Sequence, residues 1–296
     1  MKKLYLLLLV PFTIYSQETP KYVQYIYNLS SINPGYSINE PGILRVGGIG
    51  ISENFLNNRS LAKTYNFFAQ TSISDKMELN LNYLNREVEN IYDSNYSRFN
   101  GNLSYLIQLT KKSHLSLGFA FGFNQKIINT TKYTYVDPDP NFKENVNHFN
   151  LGSGLMFFTE NLFVGVSSLN FLKNEYETFD QKKDIEIYGL LGYVFEIGKK
   201  WKLKPMIFTN KMNTKFETNY SVNLLYDNFF ELGYSYVDKE LTTFLMRFKF
   251  KNSKVGCAME FEKNTIYRDK MNYVVFLTHD FYFSHETKNY EKPRYF

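Results

Sequence analysis

One cysteine and one tryptophan, Cys257 and Trp201, stand in a chain of 296 residues. A single thiol rules out an intramolecular disulfide, so the fold is held by other means. Beyond the amino terminus, no stretch approaches the ~18 consecutive apolar residues of a membrane-crossing helix. The mean hydropathy of −0.37 is too polar for a bundle of such helices. An excess of one charge is also lacking, because 34 Lys and Arg face 29 Asp and Glu for a net charge of +5. The two signs are interspersed, without the basic stripe that nucleic acid requires, so no nucleic-acid partner is expected. Low-complexity linkers and repeats longer than a hairpin are absent from the pattern, which excludes a solenoid.

What abounds is Phe and Tyr, 28 and 25 residues, within an apolar share of 44%. Aromatic side chains pack well on a pleated surface and favour strands. A transmembrane barrel reconciles them with the polar mean hydropathy, since one face of each strand meets lipid and the other a polar lumen. Residues 1–16, MKKLYLLLLVPFTIYS, read as an export signal. Lys2 and Lys3 form a charged start, Leu4 to Val10 an apolar run too short to span a bilayer, and small Ser16 precedes a cleavage point at Gln17. Removal of this segment takes two lysines and no acid, leaving the mature chain near +3.

Period-2 alternation is clearest after Ser113. Leu115, Leu117, Phe119, Phe121 and Phe123 share one parity, and His114, Ser116, Gly118, Ala120, Gly122 and Asn124 share the other. Successive side chains of a strand point to opposite faces, so one face is large and apolar and the other small or polar. A soluble sheet would carry charge on its outer face; large-out and small-in fits lipid outside a crowded or wet interior. The pattern recurs in Met77, Leu79, Leu81 and Tyr83, in Phe216, Tyr220, Val222, Leu224 and Tyr226, and in Val255, Cys257, Met259 and Phe261.

Fourteen strands follow: 44–51, 63–72, 76–86, 98–110, 113–127, 146–158, 161–169, 184–198, 200–209, 214–226, 229–237, 240–250, 254–263 and 271–283. The expected fold is all-β, a transmembrane antiparallel up-and-down barrel in an outer membrane, with lipid as its surroundings. Alternate joints are tight, such as Lys111–Lys112 and Asp227–Asn228, while 52–62, 87–97, 128–145 and 170–183 are long. Short turns lie on the periplasmic side of outer-membrane barrels and long loops outside, which places both chain ends in the periplasm. The organisation is then a signal peptide at 1–16, a periplasmic or lumenal lead-in at 17–43, the barrel at 44–283 and a charged periplasmic tail at 284–296.

Catalytic and metal chemistry has little to stand on. His279, Asp280, His285 and Glu286 are close in sequence, but a strand places His279 and Asp280 on opposite faces while a metal needs converging ligands. Asp137 and Asp139 alternate with Pro138 and Pro140 in the longest loop, a rigid exposed turn rather than a Ca²⁺ site. Gly47, Gly48 and Gly50 are followed by no Lys-Ser or Lys-Thr and open no helix, so they suit strand curvature or close backbone approach, not phosphate binding. No Ser–His–Asp or Cys–His set is seen, and Cys257 falls on the apolar parity. The chain is therefore expected to be no enzyme and to need no cofactor or metal. Lumen-parity charges of both signs, among them Glu78, Lys204, Glu231, Arg247 and Glu260, are expected to cross-pair and fix the interior rather than line an open pore.

The segment PKYVQYIYNLSSINPGY at 20–36 is more specific. Its Gln24, Tyr25, Tyr27, Asn28, Asn33, Pro34 and Tyr36 resemble the glutamine- and aromatic-rich opening and Asn-Pro-Ala-Tyr motif of the PorP/SprF family of Bacteroidota outer-membrane proteins, with Gly35 in place of the usual alanine. Stretches at 149–170, 201–208 and 229–236 are similar to the same family. The resemblance implies an accessory role in type IX secretion, supporting export or surface attachment of a cognate protein such as an adhesin, in some members for gliding motility. Its partners would be the carboxy-terminal secretion domain of that substrate and other secretion components. The seven lead-in residues are candidate contacts either to such a partner or, as a plug, to the barrel itself. A small-solute or fatty-acid transport barrel, porin-like or FadL-like, is the alternative.

Overall fold

A computed structural model describes residues 22–37, 42–55, 60–88, 93–129, 143–172, 174–176, 181–183, 185–212, 215–237, 241–262 and 270–283. The segment at 1–16 and the tail at 284–296 lie outside the described residues, as do Asp137, Asp139, His285 and Glu286.

The strands, in chain order, are β1 (Ile43–Phe55), β2 (Ser60–Ser72), β3 (Met77–Val88), β4 (Asp93–Thr110), β5 (Ser113–Asn129), β6 (Lys143–Thr159), β7 (Leu162–Ser168), β8 (Asn174–Tyr176), β9 (Gln181–Lys183), β10 (Ile187–Tyr193), β11 (Phe195–Ile197), β12 (Trp201–Met212), β13 (Lys215–Tyr226), β14 (Phe230–Val237), β15 (Leu241–Phe250), β16 (Ser253–Glu262) and β17 (Lys270–Tyr282). Successive strands of the wall pair antiparallel, β7 with β10 across the β8–β9 segment, and β1 pairs with β17 from Ile43–Tyr282 to Phe55–Lys270, closing the sheet. β10 and β11 are two pieces of one crossing, broken at Val194, so the wall is a closed barrel of fourteen strands. Closure leaves the described wall no long edge inside the bilayer, the condition for strands in lipid.

Alternation decides which way each strand faces. Phe119 is 69% exposed on the outside, with Phe121 and Phe123 beside it, while Ser116, Gly118, Ala120, Gly122 and Asn124 are buried on the lumen side. Large apolar groups thus form the outer belt and small or amide groups crowd the interior, as the sequence pattern predicts. Cys257 is exposed in the belt.

Three features depart from the expected layout. The pairing of β10 with β12 stops at Gly192–Met206 and resumes in the same register at Phe195–Leu203. The gap at Tyr193–Val194 thus faces Pro205, which has no N–H to give to the ladder. On its other side Val194 N–H still bonds to the Asn161 carbonyl at 2.9 Å. The loop expected at 170–183 contains the small hairpin β8–β9, paired only with itself among the described residues. The lead-in, to which the alternation assigns no element, contains the helix α1 (Tyr22–Tyr27) and a 3-10 turn at Leu29–Ser31. A six-residue helix is too short to persist by propensity, so tertiary packing holds it.

The tight turns lie at one end. Asp227 and Asn228 both take positive φ, 51° and 54°, the left-handed geometry that matches hairpin twist and that Asn and Asp tolerate. Placing a cation in the belt tests the inside–outside assignment: Phe119→Arg is expected to destabilise the barrel by about 2–4 kcal/mol in lipid. Lys111→Ala, in a turn, should change stability by less than about 0.5 kcal/mol. Denaturant unfolding of both variants in liposomes measures the difference.

Candidate functional site in the barrel lumen

Residues 22–37 lie in the lumen, with contacts to inner-face residues of β2, β3, β4, β7 and β12. Tyr25, Ile26, Asn28, Leu29, Ser30, Ile32, Asn33, Tyr36 and Ser37 are all buried. In a barrel without a separate core, only contact with the wall on several sides accounts for this.

Polar contacts come first. Asn28 Nδ2 donates to Asn66 Oδ1 on β2 at 2.7 Å and to Asn82 Oδ1 on β3 at 2.8 Å. Ser30 Oγ donates to Asn28 Oδ1 at 2.8 Å and accepts from Gln70 Nε2 at 2.8 Å. Asn102 Nδ2 on β4 donates to the Ser30 carbonyl at 2.6 Å, and Ser167 Oγ on β7 to the Ile32 carbonyl at 2.6 Å. Ser37 Oγ donates to Glu78 on β3 at 2.7 Å. Asn102 and Ser167 thus satisfy carbonyls of the plug, while Asn66, Gln70, Asn82 and Glu78 meet its side chains.

The Asn33–Tyr36 segment is a tight turn, with Tyr36 N–H donating to the Asn33 carbonyl at 3.0 Å and Gly35 N–H to Asn33 Oδ1 at 2.8 Å. Asn33 Nδ2 reaches the Leu155 carbonyl of β6 at 3.1 Å. The wall is shaped for this turn: a Cβ on Gly118 would lie 2.1 Å from the Pro34 carbonyl carbon, and one on Gly154 2.2 Å from Asn33 Oδ1. Gly35 completes the fit, since a Cβ there would come within 2.9 Å of the Gly154 carbonyl oxygen. Burial pushes the Tyr36 phenol up to about 12 against the opposing pull of Arg45, so it remains a neutral hydroxyl.

Aromatic and ionic contacts hold the other side. Tyr25 stacks on Phe208 of β12 with ring centroids 4.5 Å apart, and Tyr27 on Phe276 of β17 at 4.0 Å. The Tyr27 hydroxyl donates to Glu231 Oε2 at 3.0 Å. Glu231 is the hub of a buried ionic cluster: Arg247 Nε lies 2.7 Å and Lys204 Nζ 3.4 Å from its oxygens, and Asn223 Nδ2 donates at 2.6 Å. Arg45 grips Asp280 with two bonds, 2.7 and 2.9 Å, at the β1–β17 seam. Arg86 meets Glu53 at 3.1 Å and Lys270 meets Glu262 at 3.3 Å. Of the lumen charges expected to cross-pair, Lys204, Glu231 and Arg247 join one another, while Glu78 accepts from Ser37 and Glu260 from Asn272.

Of the seven residues singled out in the lead-in, Tyr25, Tyr27, Asn28, Asn33, Pro34 and Tyr36 are brought together inside the barrel, against β2, β3, β6, β12, β14 and β17. Gln24 lies in α1, and its side chain is outside the described residues. Sequence reasoning did not single out Ser30, Ile32 or Ser37, nor their wall partners Asn66, Gln70, Asn102 and Ser167. The available signal was the run of small and amide residues on the inner parity. Asp280 points into the lumen and His279 out of it, where Ser253 Oγ lies 2.7 Å from His279 Nδ1. Among the described residues no three His, Cys, Asp or Glu side chains converge as metal ligands.

A closed, belted barrel filled by its own amino-terminal segment defines the class: an outer-membrane barrel of a Gram-negative bacterium. Residues 14–278 match the family described as type IX secretion system membrane protein PorP/SprF, and the chain belongs to that family. No curated protein sequence matches the chain. Similar solved structures include the CymD monoaromatic hydrocarbon channel, at 11% identity and a TM-score of 0.60, covering 88% of this chain and 93% of that one. The toluene transporter TbuX of Ralstonia pickettii matches at 9% identity and a TM-score of 0.55, covering 85% and 92%. The P. putida toluene transporter TodX matches at 12% and 0.53, covering 86% and 94%. At these identities the likeness is one of fold.

Two substitutions test how the plug is held. Gly118→Val is expected to expel residues 22–37 while the strands persist, seen as faster amide exchange and proteolysis confined to that segment. Glu231→Gln leaves two buried cations without their carboxylate, an expected loss of about 3–5 kcal/mol. The triple variant Lys204→Met, Glu231→Met, Arg247→Met should recover most of it. Denaturant unfolding of the two proteins side by side checks the difference.

Proposed function

We propose that this protein is an accessory barrel of type IX secretion that supports export or surface attachment of a cognate secreted protein, such as an adhesin. In this reading residues 1–16 direct its own export and are removed. The observation that carries the reading is the filled lumen: Tyr25 to Ser37 contact the wall on opposite sides through hydrogen bonds, stacked rings and the Glu231 cluster. A barrel so packed is suited to meeting partners at its ends and outer surface rather than to passing a solute. Family membership supplies the process, and the packed interior argues for a binding role within it.

The alternative is transport of a small apolar solute, favoured by the likeness of fold to channels and transporters for monoaromatic hydrocarbons. It requires residues 22–37 to move aside. Deletion of the gene is expected to abolish surface display of one secreted protein; undiminished display of every secretion substrate would sink the proposal. In planar bilayers the purified protein should show no steady conductance. Gly118→Val should raise it, and strong conductance by the unaltered barrel would favour the transport alternative.

A further inference from the structure

Closure removes the edges of a barrel, yet one strand runs past its neighbour. β6 pairs with β5 along its full length, from Lys143–Asn129 to Thr159–Ser113. On its other side it pairs with β7 only from Ser153–Ser168 to Phe158–Phe163. One further bond follows, from Phe171 N–H to the Leu151 carbonyl at 2.8 Å, and no strand pairing continues among the described residues. The hairpin β8–β9, which follows β7, pairs only with itself. Roughly 25 Å of strand, at about 3.3 Å per residue, thus extends beyond the last bond toward the long-loop, extracellular end.

The direction of this edge can be read residue by residue. In an antiparallel strand the N–H and C=O of one residue point to the same side, and alternate residues serve alternate neighbours. The Leu151 carbonyl points away from β5, so Phe149, Asn147 and Asn145 present their backbone groups to the same outer side. Asn145 and Asn147 are exposed, and their side chains share the outer face with Phe149. The stretch Asn145-Val146-Asn147-His148-Phe149-Asn150 contains no proline, lysine or acid, the devices that usually block an edge against pairing. Among the described residues no strand covers this edge, and an edge of this kind recognises extended backbone.

We propose that the outer edge of β6, from Asn145 to Phe149, receives an extended strand of the secreted partner by β-augmentation. The inference rests on the reading above that a secreted protein meets this barrel, and it names where and how. Such a strand would continue the β4–β5–β6 wall outward, with its alternate backbone groups bonded to Asn145, Asn147 and Phe149. It is reached from the extracellular end, where an exported protein arrives.

The test is photo-crosslinking in living cells with a photoreactive residue at Asn147, adducts being identified by mass spectrometry. The expected adduct joins the barrel to a secreted, surface-located protein. Asn145→Pro should lower its yield about tenfold, the effect of losing one to two hydrogen bonds, whereas Asn145→Ala should not. Proline at Asn145 removes an N–H that points away from β5, so the barrel should stay folded, checked by its heat-modifiable migration. If that variant does not fold, Asn147→Pro with the photoreactive residue at Asn145 replaces it. Absence of an adduct overturns the proposal, as does an adduct to a second copy, to the chain's own loops, or one that proline leaves unchanged. Lost surface display on deletion together with a proline-insensitive adduct removes the edge and leaves the secretion role. Normal display together with a proline-sensitive adduct to a secreted protein does the reverse.

Discussion

The hydrogen bonds between Asn28, Ser30 and the amides of the wall are the contacts on which the interior depends. A barrel that turns its apolar side chains to lipid must put its polar ones inside, and in this chain those are mostly Asn, Ser and Thr with a few charges. Such groups, buried without partners, cost on the order of 1–3 kcal/mol each. Asn66, Gln70 and Asn82 instead meet the side chains of Asn28 and Ser30, and Asn102 the Ser30 carbonyl. At these positions plug and wall supply each other's partners.

The same reciprocity runs through the charges. Glu231 is buried among Lys204, Arg247, Asn223 and Tyr27, so one carboxylate joins three strands to the plug. Arg45 and Asp280 do the equivalent at the seam where the first and last strands meet. Buried pairs of this sort are weak evidence for net stability, because desolvation offsets much of their attraction. Their consequence here is geometric: each pins strands from different parts of the sequence in one register. The result is a filled cylinder, and at its long-loop end β6 outruns β7.

The barrel itself was legible because the period of its signal equals the period of the structure. Phe119 and Gly118 differ in facing for a local reason, the alternation of Cβ direction along a strand, and local rules survive in a sequence. All fourteen crossings appear where the alternation places them, with ends shifted by a few residues where strands such as β4 and β6 project past the belt and lose their apolar face. The hairpin β8–β9 and the break at Val194 were not legible. The first is too short to show a period, and the second depends on which residue of the neighbouring strand Pro205 comes to face.

For the candidate site the division is sharper. Gln24, Tyr25, Tyr27, Asn28, Asn33, Pro34 and Tyr36 could be picked out because Asn-Pro marks a turn and clustered tyrosines seek a partner. By itself, then, the sequence determined an exported, belted barrel of about fourteen strands, an amino-terminal segment unlike those strands, and a family likeness pointing to secretion. Only the tertiary structure decided that this segment fills the lumen, that Gly118 and Gly154 are hollowed for its turn, and that the lumen charges close on Glu231. The hydrogen bonds between plug and wall join residues 38 to 204 positions apart. Alternation tells which face a side chain takes, whereas which distant face it meets is settled only when the sheet closes and brings the two together.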